Sequence, residues 1–143
     1  MDERRRAFLD GERPEDVLLF LGEGAVSGID SLAERGERVP GGVVLVLPGE
    51  QGRSAFRRAT GVDAMSFAGS ASGNEGRVAP DLGTGTCPEA EGEGGHALQF
   101  LLGFVESENQ EAGGLYAEGD VLHAYAACEC GAAYSDRWVV GER

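Results

Sequence analysis

Residues 114–141, GLYAEGDVLHAYAACECGAAYSDRWVVG, hold most of the structural signal in this chain. It contains the single tryptophan, all three tyrosines and two of the three cysteines. An apolar run from Val121 to Ala127 is followed by the turn sequence Cys-Glu-Cys-Gly and by a second apolar run that includes Trp138, Val139 and Val140. Two apolar runs on either side of a short turn that contains glycine predict a β-hairpin.

The segment before this hairpin has the period of another strand. Alternate positions of residues 96–105 are apolar, namely Leu98, Phe100, Leu102 and Phe104. A repeat of two residues predicts a strand that places these side chains on one face. Because consecutive strands usually pair, residues 96–105 and 120–127 are expected to be antiparallel neighbours in a meander.

A further strand is predicted at residues 43–47, where the sequence is VVLVL. It lies between Pro40-Gly41-Gly42 and Pro48-Gly49. Five consecutive apolar residues bounded by turn residues are typical of a strand that is buried on both faces.

Short helices are predicted in the first half of the chain. Their positions are 3–9, 14–21, one turn that starts in the capping-box sequence Ser31-Leu-Ala-Glu34, 53–60, and a segment capped by Asp63. In the segment 14–21, Pro14 suits a first helical turn, and Glu15 and Asp16 favour the helix dipole. The predicted fold class is therefore α+β, with N-terminal short helices, one buried strand and a C-terminal antiparallel β-meander.

The length of 143 residues fits a single domain that spans 1–143. Between about residues 69 and 95, glycine, serine, threonine and glutamate dominate, and Val78 and Leu82 are the strong apolar anchors. Such a composition buries little apolar surface, so this segment is predicted to be a mobile, glycine-rich loop.

The charge of the chain is unusual. All 12 basic residues are arginine, 25 residues are acidic, and the net charge is −13. Carboxylates are strongly hydrated and guanidinium groups weakly so, which favours solubility where salt screens the surface. We interpret this composition as that of a salt-adapted protein; an ordinary acidic surface with biased codon usage is the alternative.

The same charge restricts the expected partners and location. A nucleic-acid partner is not expected, because no stripe of basic residues is present to displace counterions. A membrane role is not expected either, since no apolar run approaches the ~20 residues that span a bilayer. The N-terminal sequence MDERRRAFLDGE lacks the apolar region of a signal peptide. We therefore expect a cytoplasmic protein with reduced cysteines.

Three cysteines and one histidine form the candidate metal site. If residues 96–105 and 120–127 pair, Cys128 and Cys130 lie near His96, and near Cys87 on the other side of the 88–95 loop. Three thiolates and one imidazole are a typical closed ligand set for Zn²⁺. The glycine that follows Cys130 lets backbone N–H groups turn toward the sulfurs. The sequence therefore predicts zinc as a candidate cofactor.

Two alternatives for the cysteines remain open. The Cys-x-Cys spacing is one residue shorter than the usual Cys-x₂-Cys knuckle, so the cysteines can instead be buried, reduced side chains that pack as small hydrophobes. A redox pair, in which Cys128 and Cys130 close a strained disulfide, is the other alternative. His123 fits less well as a metal ligand, because a regular strand points it to the face opposite Cys128. A catalytic Cys-His dyad between Cys128 or Cys130 and His123 is a further alternative that nothing else in the sequence supports.

The turn from Pro48 to Ser54 is a second candidate site. It follows a buried strand and opens a helix, where backbone N–H groups can bind an anion, and Arg53, Arg57 and Arg58 are close in sequence. The alternative interpretation is a tight turn whose arginines are solvated.

Four segments carry a resemblance to a known family, namely GERPEDVLLFL (11–21), SLAERGERVP (31–40), GRSAFRRATGVDAMSFA (52–68) and GGLYAEGDVLHAYAACECGAAYSDRWVVG (113–141). With these segments the chain resembles a small uncharacterised protein family of halophilic archaea. The resemblance implies an organism type and a cytoplasmic location, but it implies no activity.

Two hypotheses about function follow. The first is a non-catalytic binding or structural module, stabilised by zinc, that binds a protein partner through its sheet or its acidic surface. The second is a thiol-based redox protein or sensor that uses the Cys-Glu-Cys turn.

Overall fold

An antiparallel β-sheet with helices on its faces forms the centre of the fold. The computed structural model describes residues 2–26, 28–82, 85–88 and 97–142. The strands within these ranges are β1 (Asp16–Gly22), β2 (Glu37–Val39), β3 (Gly42–Pro48), β4 (Arg77–Val78), β5 (Gly85–Thr86), β6 (Leu98–Glu106), β7 (Val121–Cys128) and β8 (Ala133–Val139). The helices there are α1 (Glu3–Leu9), α2 (Ile29–Ala33), α3 (Gly49–Thr60), α4 (Ala64–Ala71) and α5 (Leu115–Glu118). These elements make an α+β protein, as the sequence predicts.

The order of strands in the main sheet is β2-β3-β1-β6-β7-β8, and β4 pairs with β5 in a small separate sheet. The last three strands of the main sheet form the predicted antiparallel meander, with Leu102 opposite Tyr125 and Tyr125 opposite Ser135. The buried strand predicted at 43–47 is confirmed as β3, which pairs with β1 on one side and β2 on the other.

The predicted helix at 14–21 is wrong, because residues 16–22 form strand β1. This strand lies between β3 and β6 in the middle of the sheet, and every residue of it is buried. A surface helix buries one stripe of its side chains, whereas a central strand covered on both faces buries all of them. The continuous apolar run Val17–Leu21 therefore suits the strand better than the local helix signals of Pro14 and Glu15.

The other helix predictions hold with changes at their ends. Helix α1 begins after Asp2, whose carboxylate accepts a hydrogen bond from the backbone N–H of Arg5 (2.8 Å), and α4 is capped by Asp63 in the same way. Helix α3 begins at Gly49, earlier than the predicted residue 53. The capping box at Ser31 is wrong, because α2 begins after Gly28, which adopts a left-handed conformation (φ 73°).

Each face of the sheet covers its own hydrophobic cluster. Helices α2, α3 and α4 pack on the face that includes Phe100 and Leu102, and α1 packs with the region around β4 and β5 on the opposite face. The predicted alternation in β6 fails at its first residue. A register irregularity between Leu98 and Phe100 places Leu98 against the cluster of the opposite face.

Part of the segment 69–95 is ordered against the sheet. Its described residues include the end of α4 and strands β4 and β5, and Val78, Leu82 and Cys87 are buried. Residues 83–84 and 89–96 lie outside the described ranges. The mobility of this segment stays a prediction.

Candidate metal centre

The turn between β7 and β8 fixes two of the three cysteines. Cys128 ends β7, and the N–H of Gly131 donates to the Cys128 carbonyl (2.9 Å) while the N–H of Cys128 donates to the Ala132 carbonyl (2.8 Å). This pattern is that of a three-residue hairpin loop closed by a bulge, which needs a glycine in a left-handed conformation. Gly131 meets that requirement with φ 96°. The Cys-Glu-Cys-Gly sequence therefore forms a tight turn that keeps Cys128 and Cys130 adjacent.

The third cysteine reaches this turn because the segment 74–78 is bonded to the edge of β8. Asn74 donates its side-chain N–H to the Ala133 carbonyl (2.9 Å), and the N–H of Gly76 donates to the Ser135 carbonyl (2.9 Å). Strand β4 is the last part of this segment and pairs with β5, which ends one residue before Cys87. The docked segment thus holds Cys87 beside the hairpin turn.

The three sulfur atoms form one cluster. The Sγ atoms of Cys87, Cys128 and Cys130 all lie within 4.8 Å of one another, and those of Cys87 and Cys130 are 3.8 Å apart. All three cysteines are free thiols; Cys87 and Cys128 are buried and Cys130 is exposed. The cysteines therefore cluster in a way that can bind a metal ion.

The spacing of the sulfurs can be compared with that of a metal site. A tetrahedral site with metal–sulfur bonds of about 2.3 Å separates its sulfurs by about 3.8 Å. The distance between the Sγ atoms of Cys87 and Cys130 is also 3.8 Å. The same distance also fits a hydrogen bond between two thiols, and Cys87 and Cys128 belong to a hydrophobic cluster of the core.

Backbone and burial affect the cysteines of the turn in opposite directions. Burial raises the pKa of the Cys128 thiol to about 11, with smaller contributions from its cysteine neighbours. The pKa of Cys130 is lowered, chiefly because the backbone N–H of Ala132 donates to its sulfur. The backbone N–H of Cys130 donates in turn to the sulfur of Cys128. Such N–H donors stabilise the thiolate form of a cysteine and orient its sulfur. This agrees with the expectation that the glycine after Cys130 lets backbone N–H groups turn toward the sulfurs.

Tyr134 forms the floor beneath the cluster. It is fully buried, and burial followed by the three nearby cysteines raises its pKa to about 12. Because the hydroxyl of Tyr134 stays neutral to such a high pH, it packs beneath the cysteines without competing with their thiolates for a cation. The sequence predicts Tyr134 as part of the amphipathic edge of the sheet's core and does not connect it with the cysteines. Its position just after the Cys-Glu-Cys-Gly turn is the signal that could have made this connection.

The predicted ligands divide into three groups. The structure brings Cys87, Cys128 and Cys130 together, as the pairing argument required. His96 lies outside the described residues, so its part in the site stays a prediction. His123 lies on the face of β7 opposite Cys128, as expected, and its Nε2 is 3.0 Å from the Glu106 carboxylate. No other group of three histidine, cysteine or acidic side chains in the described ranges is arranged for a metal.

The turn before α3 remains the second candidate site. The N–H of Gly49, the first residue of the helix, donates to the Glu15 carbonyl (2.9 Å) and is thus occupied within the protein. Anion binding by the later N–H groups and Arg53 stays a prediction.

The fold and the cluster together define an α+β protein with a three-cysteine site that can hold a metal ion. Residues 36–141 match a family of unknown function (DUF5807), and the protein belongs to that family. This agrees with the resemblance to an uncharacterised family, and the halophilic origin stays a prediction. Comparison with curated proteins and with solved structures gives no match. In the described residues, no helix has the length and apolar character needed to cross a membrane.

Proposed function

We propose that this protein is a non-catalytic binding or structural module stabilised by a Zn²⁺ ion at Cys87, Cys128 and Cys130. The observation that carries this proposal is the approach of three sulfurs to within 4.8 Å of one another from two separate parts of the chain. Thiolates are preferred ligands of Zn²⁺, and three thiolates with one histidine make a closed structural site. An ion here joins the segment after β5 to the hairpin turn.

His96 is the proposed fourth ligand. It precedes Ala97, whose carbonyl accepts a hydrogen bond from the N–H of Glu129 (3.0 Å). Glu129 lies between the two cysteines of the turn. The hydrogen bond at Ala97 therefore brings the chain next to His96 close to the cluster, which supports a closed set of four ligands.

The proposed setting is a salt-rich cytoplasm, and the proposed partner is another protein. The net charge of −13 and the exclusive use of arginine support salt adaptation. The partner is expected to bind through the sheet or the acidic surface, because a zinc ion with four protein ligands has no open position for catalysis.

Metal content tests the proposal directly. Protein purified in high salt without added metal is expected to contain one zinc ion per chain by mass spectrometry. Cys87→Ser, Cys130→Ser and His96→Gln should each lose the ion and be destabilised by similar amounts, since metal-binding energy in such a site is also folding energy. His123→Gln is the matched control, because the chain has two histidines and this one lies on the other face.

Alkylation provides a second readout on the wild-type protein. All three thiols should react slowly in the native protein and become reactive together when a chelator removes the ion. The proposal is contradicted if the Cys87→Ser variant still retains zinc. It is also contradicted if the alkylation rates of the three thiols are the same with and without the chelator.

A thiol-based redox function is the second candidate, and the state of Cys130 favours it. This cysteine is exposed and its pKa is lowered, while Cys87 lies 3.8 Å away. A peroxide would oxidise the Cys130 thiolate to a sulfenic acid, and the Cys87 or Cys128 thiol would displace water to form a disulfide. A single fast-reacting cysteine and a disulfide after peroxide treatment, both in metal-free purified protein, support this function.

A further inference from the structure

A cavity of about 480 Å³ lies on the face of the meander opposite the cysteine cluster. Its floor is formed by β7 and β8, where His123 is opposite Arg137 and Tyr125 is opposite Ser135. Its walls come from the end of α4, the docked segment after it and α5; their residues are Ser72, Glu75, Gly76, Leu115 and Tyr116. The volume falls within the range of small-molecule sites.

Two nearly buried polar side chains on this floor have a polar atom without a protein partner. His123 is 8% exposed and Tyr125 is 9% exposed, and both line the cavity. The Nε2 of His123 is 3.0 Å from the Glu106 carboxylate. In the described part of the chain, neither the Nδ1 of His123 nor the hydroxyl of Tyr125 has a hydrogen-bond partner. Neither atom is fully enclosed, because among the described residues Arg5 Nε is the one buried side-chain nitrogen or oxygen without a hydrogen-bond partner. Both atoms are therefore available to hydrogen-bond a ligand in the cavity.

The hydrogen bond to Glu106 determines which ring nitrogen of His123 can accept a hydrogen bond from a ligand. A carboxylate only accepts hydrogen bonds, so Nε2 carries the proton that it donates. In the neutral ring Nδ1 is then an acceptor, and the residue lines the cavity. Tyr125 adds a hydroxyl that can donate or accept. The floor thus provides one acceptor for a ligand N–H group and one donor for a ligand oxygen.

A positive and a negative side chain, Arg137 and Glu75, line the rim of the same cavity. Arg137 donates to the hydroxyl of Tyr116 (2.9 Å), and among the described residues it has no carboxylate partner, although the chain has 25 acidic residues. Glu75 likewise has no side-chain ion pair within the described ranges. The carboxylate of Asp136 is already used, since it accepts from the backbone N–H groups of Val78 and Arg137.

We propose that this cavity binds a free α-amino acid with an uncharged side chain. The ligand carboxylate pairs with the guanidinium of Arg137 and accepts from Tyr125, a geometry that guanidinium groups favour. The ligand ammonium donates to Nδ1 of His123 and faces Glu75. The ligand side chain packs against Leu115 and the ring of Tyr116. This site is independent of the proposed zinc ion, because it lies on the opposite face of β7.

The arrangement of the lining groups favours a zwitterion over a simple anion or cation. A simple anion would leave the acceptor of His123 unsatisfied and would meet the carboxylate of Glu75. A simple cation would leave Arg137 and the hydroxyl of Tyr125 without a ligand oxygen. A molecule that carries both charges on one carbon satisfies all four groups at once.

The test uses the full chain and the twenty common L-amino acids as probes, each titrated while backbone amide chemical shifts are followed. At least one with an uncharged side chain should give saturable shifts at residues 72–76, 115–116 and 135–137. Its decarboxylated amine and its deaminated acid should each bind at least tenfold more weakly. For leucine these analogues are 3-methylbutylamine and 4-methylpentanoate.

Variants locate the site. Arg137→Gln and His123→Phe should each weaken binding at least tenfold, whereas Arg6→Gln, the same charge change at an exposed arginine of α1, should leave it unchanged. Absence of saturation below about 10 mM for all twenty amino acids overturns the proposal. So does an analogue that binds as tightly as its parent amino acid, and this ligand comparison holds even if a variant fails to fold.

Discussion

At the scale of single residues, Tyr134 joins the two parts of the chain that carry the cysteines. It belongs to β8, and it lies against Gly76 of the docked segment and Gly85 of β5. A Cβ atom on Gly76 would lie 2.4 Å from the ring, and one on Gly85 would lie 2.4 Å from the hydroxyl oxygen. Both positions therefore need glycine so that β4 and β5 can approach the sheet closely.

Gly76→Ala is expected to destabilise the fold by about 1–3 kcal/mol, because the added methyl group overlaps a ring that is buried and held. Gly69→Ala is the matched control. Gly69 is an exposed residue of α4 with open space around its Cα, and alanine there should stabilise the fold by about 0.5–1 kcal/mol. Denaturant unfolding gives the change in unfolding free energy for each variant. Equal changes for the two variants would show that the ring of Tyr134 moves to accommodate the methyl group.

His123 is expected to make the stability depend on pH. Burial lowers its pKa below the ordinary value of 6.5, and the Glu106 carboxylate offsets only part of this shift. The unfolded chain therefore binds more protons than the folded chain as pH falls through about 6.5, so stability falls with it. A single group changes the free energy of unfolding by at most about 1.4 kcal/mol per pH unit.

His123→Phe should remove this dependence between about pH 7.5 and 5.5, and Glu106→Gln should make it steeper, because the carboxylate favours the protonated ring. Urea unfolding at several pH values measures both effects. A wild-type protein and a His123→Phe variant with parallel curves would contradict the assignment.

At the scale of elements, the contact between α3 and β1 sets how closely the helical layer lies on the sheet. A Cβ atom on Gly52 of α3 would lie 2.0 Å from a methyl carbon of Val17. The helix therefore depends on a missing side chain at its buried face to reach the strand. Without that approach, the ring cluster of Phe56, Phe67 and Phe100, whose centroids are 5.2–5.6 Å apart, would separate.

A double-mutant cycle tests this contact. Gly52→Ala alone should destabilise the fold by about 1–3 kcal/mol through overpacking, and Val17→Ala alone by a similar amount through the lost methyl groups. The double variant should lose less than the sum of the two, because Val17→Ala removes the overlapping methyl carbon. Additive losses would mean that the helix shifts as a body instead.

At the scale of the whole molecule, charge is the dominant feature. The 25 acidic and 12 basic side chains give a net charge of −13. In dilute buffer these charges repel one another across the surface, which disfavours the compact state. The screening length shortens from about 10 Å at 0.1 M salt to about 3 Å at 1 M, so molar salt should relieve the repulsion.

The thermal midpoint is therefore expected to rise by about 5 °C or more between 0.05 and 1–2 M sodium chloride, which corresponds to on the order of 1–2 kcal/mol. Calorimetry or circular dichroism measures the midpoint. Sucrose in place of salt is the control, since it does not screen charge. A midpoint that salt leaves unchanged would count against salt adaptation.

Much of the fold follows from local patterns in the sequence. A period of two predicted β6, the apolar runs on either side of a glycine-containing turn predicted β7 and β8, the continuous apolar run predicted β3, and an aspartate cap predicted the start of α4. The Cys-Glu-Cys-Gly sequence predicted a turn whose glycine lets backbone N–H groups turn toward the sulfurs. These features depend on a few adjacent residues, so the physical causes are present in the sequence itself.

The α+β class, the meander, the net charge and the choice of the three cysteines as candidate ligands all follow from the amino-acid sequence. Tertiary structure alone decided that residues 16–22 form a strand, because the run from Val17 to Leu21 is buried on both sides only when β3 and β6 flank it. It also decided that the segment 74–78 docks on β8, which brings Cys87 to within 3.8 Å of Cys130. These outcomes depend on groups far apart in the chain, and no local pattern records which distant surface will cover a given side chain.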